Sequence, residues 1–188
     1  MIGNDVIDLI QSRHESNWQR KGFIEKLFTA EEQLLIKHDS NPEIMVWLLW
    51  SMKEAAYKIY NRQTKLRQYI PKKLICIILS NNNDYITGQV TCCDNVYHTK
   101  ATIFTDSIHT IAVSFLQDLN NVIEIENRNI FKDENAIPFL NSLQNTFQDV
   151  SISHHGRFEK VVTLIKKNSR QNQQDSVLDN IKFHGTNQ

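Results

Sequence analysis

The sequence predicts an α+β protein: helices packed on an antiparallel sheet, with a partial second lobe built from the C-terminal third. Three observations carry this prediction. A long apolar run at helical spacing ends near residue 61. The apolar period then changes to two, in four short β-rich runs separated by Asn- and Asp-rich turns. Beyond residue 127 a further set of short strand-like runs appears. Helices followed by a block of strands is the pattern of an α+β domain.

Residues 1–9 read as a strand, apolar at Val6 and Ile7 but carrying Asp5 and Asp8. An acid inside an apolar strand costs free energy unless something pairs with it. Residues 13–28 read as a basic amphipathic helix or helix-rich segment, with Arg13, Arg20, Lys21 and Lys26 on one side and Trp18, Phe23, Ile24 and Leu27 for the core. Thr29-Ala30-Glu31-Glu32 matches a capping box that opens a second helix. Asn41 can cap the next helix, Pro42 fits its first position, and Glu43 suits the positive end of its dipole. From there to about residue 61 the run is too apolar for a solvated surface helix. Glu54 and Lys58 lie four apart on it and share a face with Trp47, Trp50 and Ser51. On spacing alone they are a routine ion pair, worth roughly a few tenths of a kcal/mol.

Residues 74–79, 85–91, 96–104 and 108–116 read as an antiparallel meander, extended by 122–126. Residues 128–131 and 135–140 resemble a hairpin, and a polar connection through Gln148 leads to a strand ending in His154-His155-Gly156-Arg157. Residues 158–166 resume as a strand. From residue 167 the chain is rich in Asn, Gln and charge, with a weak apolar patch at Val177, Leu178, Ile181 and Phe183. This predicts a poorly ordered or loosely docked tail. The expected organisation is a core lobe over 1–120, a partial second lobe over 127–167 and a polar tail over 168–188.

At 188 residues the chain can bury a sizeable core. Twenty-one basic residues balance twenty-one acidic ones, so no global field argues for nucleic acid or membrane, and an anionic partner must meet a local patch. Cys76, Cys92 and Cys93 are an odd number, and adjacent Cys92 and Cys93 are poorly placed to pair, which argues against a disulfide framework. Their spacing, with His98 and His109, fits none of the paired zinc patterns. The N-terminus lacks a basic segment followed by an apolar run, and no stretch has the length to span a bilayer. A reduced cytoplasmic protein is expected.

Ser153 and His154 are neighbours on a strand and point to opposite faces, so they make a poor nucleophile and base pair. Asp5, Asp8 and Glu54 are either satisfied core acids or ligands of a hard divalent cation. A few carboxylates completed by substrate phosphates is how Mg2+ is usually held. The basic residues of 13–28 suit a solvated face and an acidic protein partner equally well.

Ile2-Gly3-Asn4-Asp5 and Trp50-Ser51-Met52-Lys53-Glu54-Ala55-Ala56-Tyr57-Lys58 resemble the two signature motifs of the 4′-phosphopantetheinyl transferase superfamily. These are a (V/I)-G-x-D strand and a W/F-S/A-x-K-E-x-x-x-K helix. Ile108-His109-Thr110-Ile111-Ala112-Val113 resembles the closing strand of the family's meander, so the likeness covers residues 1 to about 116. Val150-Ser151-Ile152-Ser153-His154-His155-Gly156-Arg157-Phe158 resembles the F-N-x-S-H-S-G-x-W segment of the two-lobed members, and Ala136-Ile137-Pro138 stands where they carry G-K-P. In those relatives this block precedes the G-x-D strand; here it follows the meander, as in a circular permutation.

The resemblance implies a Mg2+-dependent enzyme of the holo-acyl-carrier-protein synthase type. It would move the 4′-phosphopantetheine arm of coenzyme A to a serine of an apo acyl or peptidyl carrier protein and release 3′,5′-ADP. It implies Asp5 and Glu54 as metal ligands and Glu54 and Lys58 as catalytic residues. Asp8 would join the metal only if the strand ends there. Ser153, His154, His155, Lys58 and Arg157 would bind coenzyme A, with Gly156 allowing close backbone approach. Arg13, Arg20 and Lys21 would face the acidic carrier. One-lobed relatives are trimers with sites between subunits and two-lobed ones are monomers; permutation favours the monomer. Two other readings stand beside this one: a catalytically degenerate member that binds coenzyme A or a carrier, and a metal-dependent hydrolase using His154 and His155.

Overall fold

A computed structural model describes residues 1–82, 84–126, 129–141 and 147–165. The expected tail over 168–188 lies outside the described residues. The chain is a mixed α+β protein with two antiparallel sheets. It opens with β1 (Ile2–Asp8), followed by α1 (Leu9–Glu15), α2 (Phe23–Leu27), α3 (Ala30–His38) and α4 (Pro42–Thr64). The meander is β2 (Ile75–Asn81), β3 (Ile86–Cys92), β4 (Asn95–Ile103) and β5 (Ser107–Val113), which with β1 forms a sheet of order β1-β5-β4-β3-β2. The strands β6 (Val122–Glu124), β7 (Ile130–Lys132), β8 (Pro138–Asn141), β9 (Phe147–His155) and β10 (Phe158–Leu164) form a second sheet of order β6-β10-β9-β8-β7.

Two expectations change. The basic segment 13–28 is not one helix: α1 stops at Glu15, and α2 restarts after Gly22, whose φ of 83° belongs to the left-handed region that glycine adopts without strain. Residues 122–124 do not extend the meander. They pair with β10, Val162 opposite Glu124 and Leu164 opposite Val122, and so begin the second sheet.

The capping box at Thr29 forms in both directions. Asn41 caps α4 with Pro42 at its start, and the helix runs to Thr64, where Lys65 turns left-handed at φ 60°. α4 is the centre of the core, with Val46, Leu48, Leu49, Met52, Ala55, Ala56 and Ile59 all but fully buried. It lies directly on β1: a Cβ added at Gly3 would fall 2.0 Å from the carbonyl oxygen of Ala55. The glycine of the first motif therefore sets the distance between strand and helix.

Lys53 is also buried. Its Nζ donates to Glu32 Oε2 at 2.8 Å, to Pro71 O at 2.9 Å and to Leu74 O, and lies 5.6 Å from the centroid of the Phe28 ring. Glu32 in turn accepts the amides of Thr29 and Cys76. This buried pair ties α3, α4 and β2 together, and every proton of the ammonium has an acceptor.

The two sheets meet along β1. Its alternate amides point away from β5 and are satisfied by side chains of β9: Asn4 N donates to Ser151 Oγ at 2.9 Å, Val6 N to Ser153 Oγ at 2.9 Å, and Asp8 N to His155 Nδ1 at 2.8 Å. Both strands advance by two at each rung, so they run parallel, joined by side chains instead of a backbone ladder. Alternation along β9 puts those three side chains on one face. Ile2, Val113 and Val162 form a small apolar cluster at the end of the same seam.

Candidate active site

Asp5 lies in the middle of this seam and is only 8% exposed. Its Oδ1 accepts the Ser153 hydroxyl at 2.9 Å and lies 3.8 Å from Lys58 Nζ, while Oδ2 is buried with no hydrogen-bond partner among the described residues. Burial raises this carboxyl, and Lys58 and Ser153 oppose the rise. Glu54, from α4, lines the same cleft as Asp5. Its carboxyl is pushed up to about 7 by burial and by the charge of Asp5, against the pull of Lys58. The hydroxyl of Tyr69 adjoins it; Tyr69 stacks edge-on with Trp50 at 5.6 Å and Tyr57 at 4.9 Å.

Lys58 bridges the seam: its Nζ donates to Asn4 O of β1 at 2.6 Å and to Ile152 O of β9 at 3.1 Å. Burial lowers its pKa, while Asp5 and Glu54 hold it up. The ammonium is therefore fixed beside both acids.

Two clefts open here. One, of about 270 Å³, holds Asp5 and Glu54 at an apolar wall of Phe23, Leu27, Trp47 and Trp50. The other, of about 350 Å³, is lined by Lys58, Arg62, Lys132, the 136–138 segment and residues 150–152. His154 lines both. Asp5, Glu54, Lys58 and His154 are thus brought to one place from three elements.

Other candidates are engaged elsewhere. β1 does end at Asp8, but its carboxylate turns to cap α1, accepting the amides of Ile10 and Gln11. It also receives Arg157 through N, Nε and Nη2 at 2.8 to 3.0 Å. The Arg157 guanidinium holds that carboxyl well below the usual range. Asp8 is a structural acid, and among the described residues no three His, Cys, Asp or Glu side chains converge as a metal group. Arg157 also pairs with Asp106 at 3.0 Å. The group that approaches Gly156 is again Asp8, since a Cβ there would meet Asp8 Oδ2 at 2.5 Å, and φ is +55°.

Ser153 faces inward, accepting the amide of Val6 and donating to Asp5. Its hydroxyl holds the Asp5 carboxylate in place. His155 Nδ1 accepts the amide of Asp8, so that nitrogen carries no proton; Nε2 donates to Glu15 at 3.2 Å. Arg13 forms a bidentate pair with Glu43 at 2.8 and 3.0 Å, apart from Arg20 and Lys21, which line a separate surface pit with Lys26, Phe23 and Trp50.

The sequence reading missed Tyr69, Arg62 and Lys132. Arg62 and Tyr69 lie beyond the helix motif, and Lys132 is on a three-residue strand, so no spacing rule links them to Glu54. Arg62, four after Lys58, shares its helix face, the one available signal.

The buried, unpartnered oxygen of Asp5 beside an acid whose charge Asp5 disfavours is an arrangement that a hard divalent cation would complete. No helix among the described residues is long and apolar enough to cross a membrane. No curated protein gave a match. The family model described as the 4′-phosphopantetheinyl transferase superfamily matches residues 1–115. That span holds Asp5, Glu54 and Lys58 and covers more than half of the chain: the protein belongs to the 4′-phosphopantetheinyl transferase superfamily.

Proposed function

We propose that this transferase moves 4′-phosphopantetheine from coenzyme A to a serine hydroxyl of an apo carrier protein, with Mg2+, releasing 3′,5′-ADP. The observation that supports this best is the meeting of Asp5 and Glu54 in one cleft with Lys58 and His154 at the edge of a second, basic one. A phosphate-rich donor suits the basic cleft. A hydroxyl acceptor suits the side of Glu54.

Asp5 and Glu54 would hold Mg2+, which neutralises charge growing on the pyrophosphate as its bridging bond breaks. Lys58, tied to two backbone carbonyls, would hold a fixed positive charge at the same place and contact the phosphates. Glu54, lining the cleft on the acceptor side, would take the serine proton directly or through water. The serine oxygen then bonds to the β-phosphorus while the bridging oxygen leaves with 3′,5′-ADP. His154 would bind the anionic donor from the shared wall. Arg20, Lys21 and the neighbouring Lys26 would face an acidic carrier; Arg13, already neutralised by Glu43, adds little.

Asp5, Glu54, Lys58 and His154 meet within one chain, which supports a monomer, and the free thiols of Cys76, Cys92 and Cys93 suit the cytoplasm. The parallel contact of β1 with β9 supports a permuted second lobe over 127–167 set against a core lobe over 1–120. The test is mass spectrometry of apo fatty-acid and synthetase carriers incubated with the protein, coenzyme A and Mg2+. One phosphopantetheine mass should appear and be absent with Glu54→Ala. No gain on any carrier, with coenzyme A still bound by calorimetry, would favour the degenerate binder instead. Light scattering at more than one subunit would overturn the monomer.

A further inference from the structure

The proposed transfer leaves the β3–β4 turn without a role. Cys92 ends β3 and pairs with Asn95, so Cys93 and Asp94 are the two central residues of the hairpin. Both are left-handed, φ 49° and 65°, as a type I′ turn requires. Adjacent residues on a straight strand point to opposite faces. The left-handed Cys93 breaks that alternation and swings its sulfur back to 3.5 Å from that of Cys92, whose thiol donates to it. Cys92 is buried and Cys93 exposed, and both are free thiols.

The two sulfurs border a small pit of about 40 Å³, room for roughly one atom-sized guest, with Tyr57, Tyr60, Lys73 and Leu74 around it. An ion bonded to two sulfurs at about 2.3 Å in tetrahedral geometry needs them about 3.8 Å apart, close to the distance already present. A disulfide would have to draw them together by about 1.5 Å within adjacent residues. We propose that Cys92 and Cys93 form a chelating dithiol site for a thiophilic metal or metalloid ion, trivalent arsenic being the test case. Burial pushes the Cys92 thiol up to about 11, against the pull of Lys73, so Cys92 keeps its proton until such an ion displaces it. With phenylarsine oxide two As–S bonds form, and the arsenic-bound oxygen leaves with both thiol protons as water. No oxidation state changes.

The test uses the full chain, reduced, with equimolar phenylarsine oxide and an excess of a monothiol that strips single-sulfur adducts. Intact mass should show one phenylarsenic group retained per chain and released by a dithiol. Cys76→Ser, which alters a thiol bonded to Leu49 O in the core, should retain it if folded. Cys93→Ser, at the exposed turn, should lose it with an unchanged circular dichroism spectrum. Loss of the adduct to the monothiol in the unaltered chain, or its survival in Cys93→Ser, would overturn the site. Cadmium titration gives a second readout through thiolate-to-metal absorption, expected in the unaltered chain and absent from Cys93→Ser.

Discussion

Replacing Glu54 by Gln should stabilise the metal-free protein while abolishing transfer. The carboxyl stands at about 7 in the folded chain against an ordinary 4.5. Between those values the folded state keeps its proton and the unfolded state loses it, so stability falls as pH rises through this window. The fall totals about 3 kcal/mol once pH exceeds the folded value. Glutamine cannot titrate, so the variant escapes the fall: its advantage is near zero at about pH 4.5 and reaches about 3 kcal/mol at about pH 8. For a chain of this size that is about 6 to 12 °C in Tm. Circular dichroism melts of both proteins with a chelator, across that pH range, measure it. Mg2+ at about pH 8 should then raise the Tm of the unaltered protein and leave Glu54→Gln unmoved. Parallel pH profiles, or equal Mg2+ shifts, would refute the reasoning, because Glu54 would be neither the strained acid nor a ligand.

Three further outcomes are expected. Lys53→Met leaves the buried Glu32 without its cation and should cost about 3–5 kcal/mol in urea unfolding; a loss below about 1 kcal/mol would show that the pair is not sealed from water. Gly3→Ala drives a methyl into the backbone of α4 and should cost at least the about 1–3 kcal/mol typical of overpacking, with transfer falling as β1 shifts. Arg157→Ala should destabilise the protein at neutral pH. Asp8, held low by that guanidinium, adds stability above the usual carboxylate range and loses it as pH falls through the lowered value, so the deficit should shrink in acid melts.

Local rules made most of the fold legible. The α4 start, the Thr29 capping box and four meander strands each rest on caps or periodicity within a few residues. The pairing of residues 122–124 with β10 was not legible, because three residues carry no register and the partner lies about forty positions on. Asp5, Glu54 and Lys58 could be proposed together because their motifs are contiguous, yet the same motif holds Lys53, whose ammonium is buried against Glu32. Two lysines five apart on one helix have opposite fates because 3.6 residues per turn puts them on different faces. The partners of Asp8 and Ser153 were not legible for a related reason: Arg157 and Asp5 stand almost 150 residues away, beyond any local pattern.

The seam itself explains why Asp5 is held so firmly. Across the seam Lys58 takes the carbonyls of Asn4 and Ile152 together, beside Asp5. Ser151, Ser153 and His155 act as spacers that still satisfy the β1 amides. Only Ser153 also donates to Asp5, so it should position the acid while Ser151 merely closes the seam. Ser151→Ala and Ser153→Ala each orphan one buried amide and should each cost about 1–3 kcal/mol. Beyond that common loss, Ser153→Ala frees the Asp5 carboxylate to rotate, which should weaken Mg2+ binding several-fold, read as a smaller Mg2+-induced rise in Tm and a higher Mg2+ requirement for transfer. Ser151→Ala should keep both at the level of the unaltered protein. Equal Mg2+ responses in the two variants would mean that Asp5 is oriented by Lys58 alone, and that the second serine of β9 is, like the first, only part of the seam.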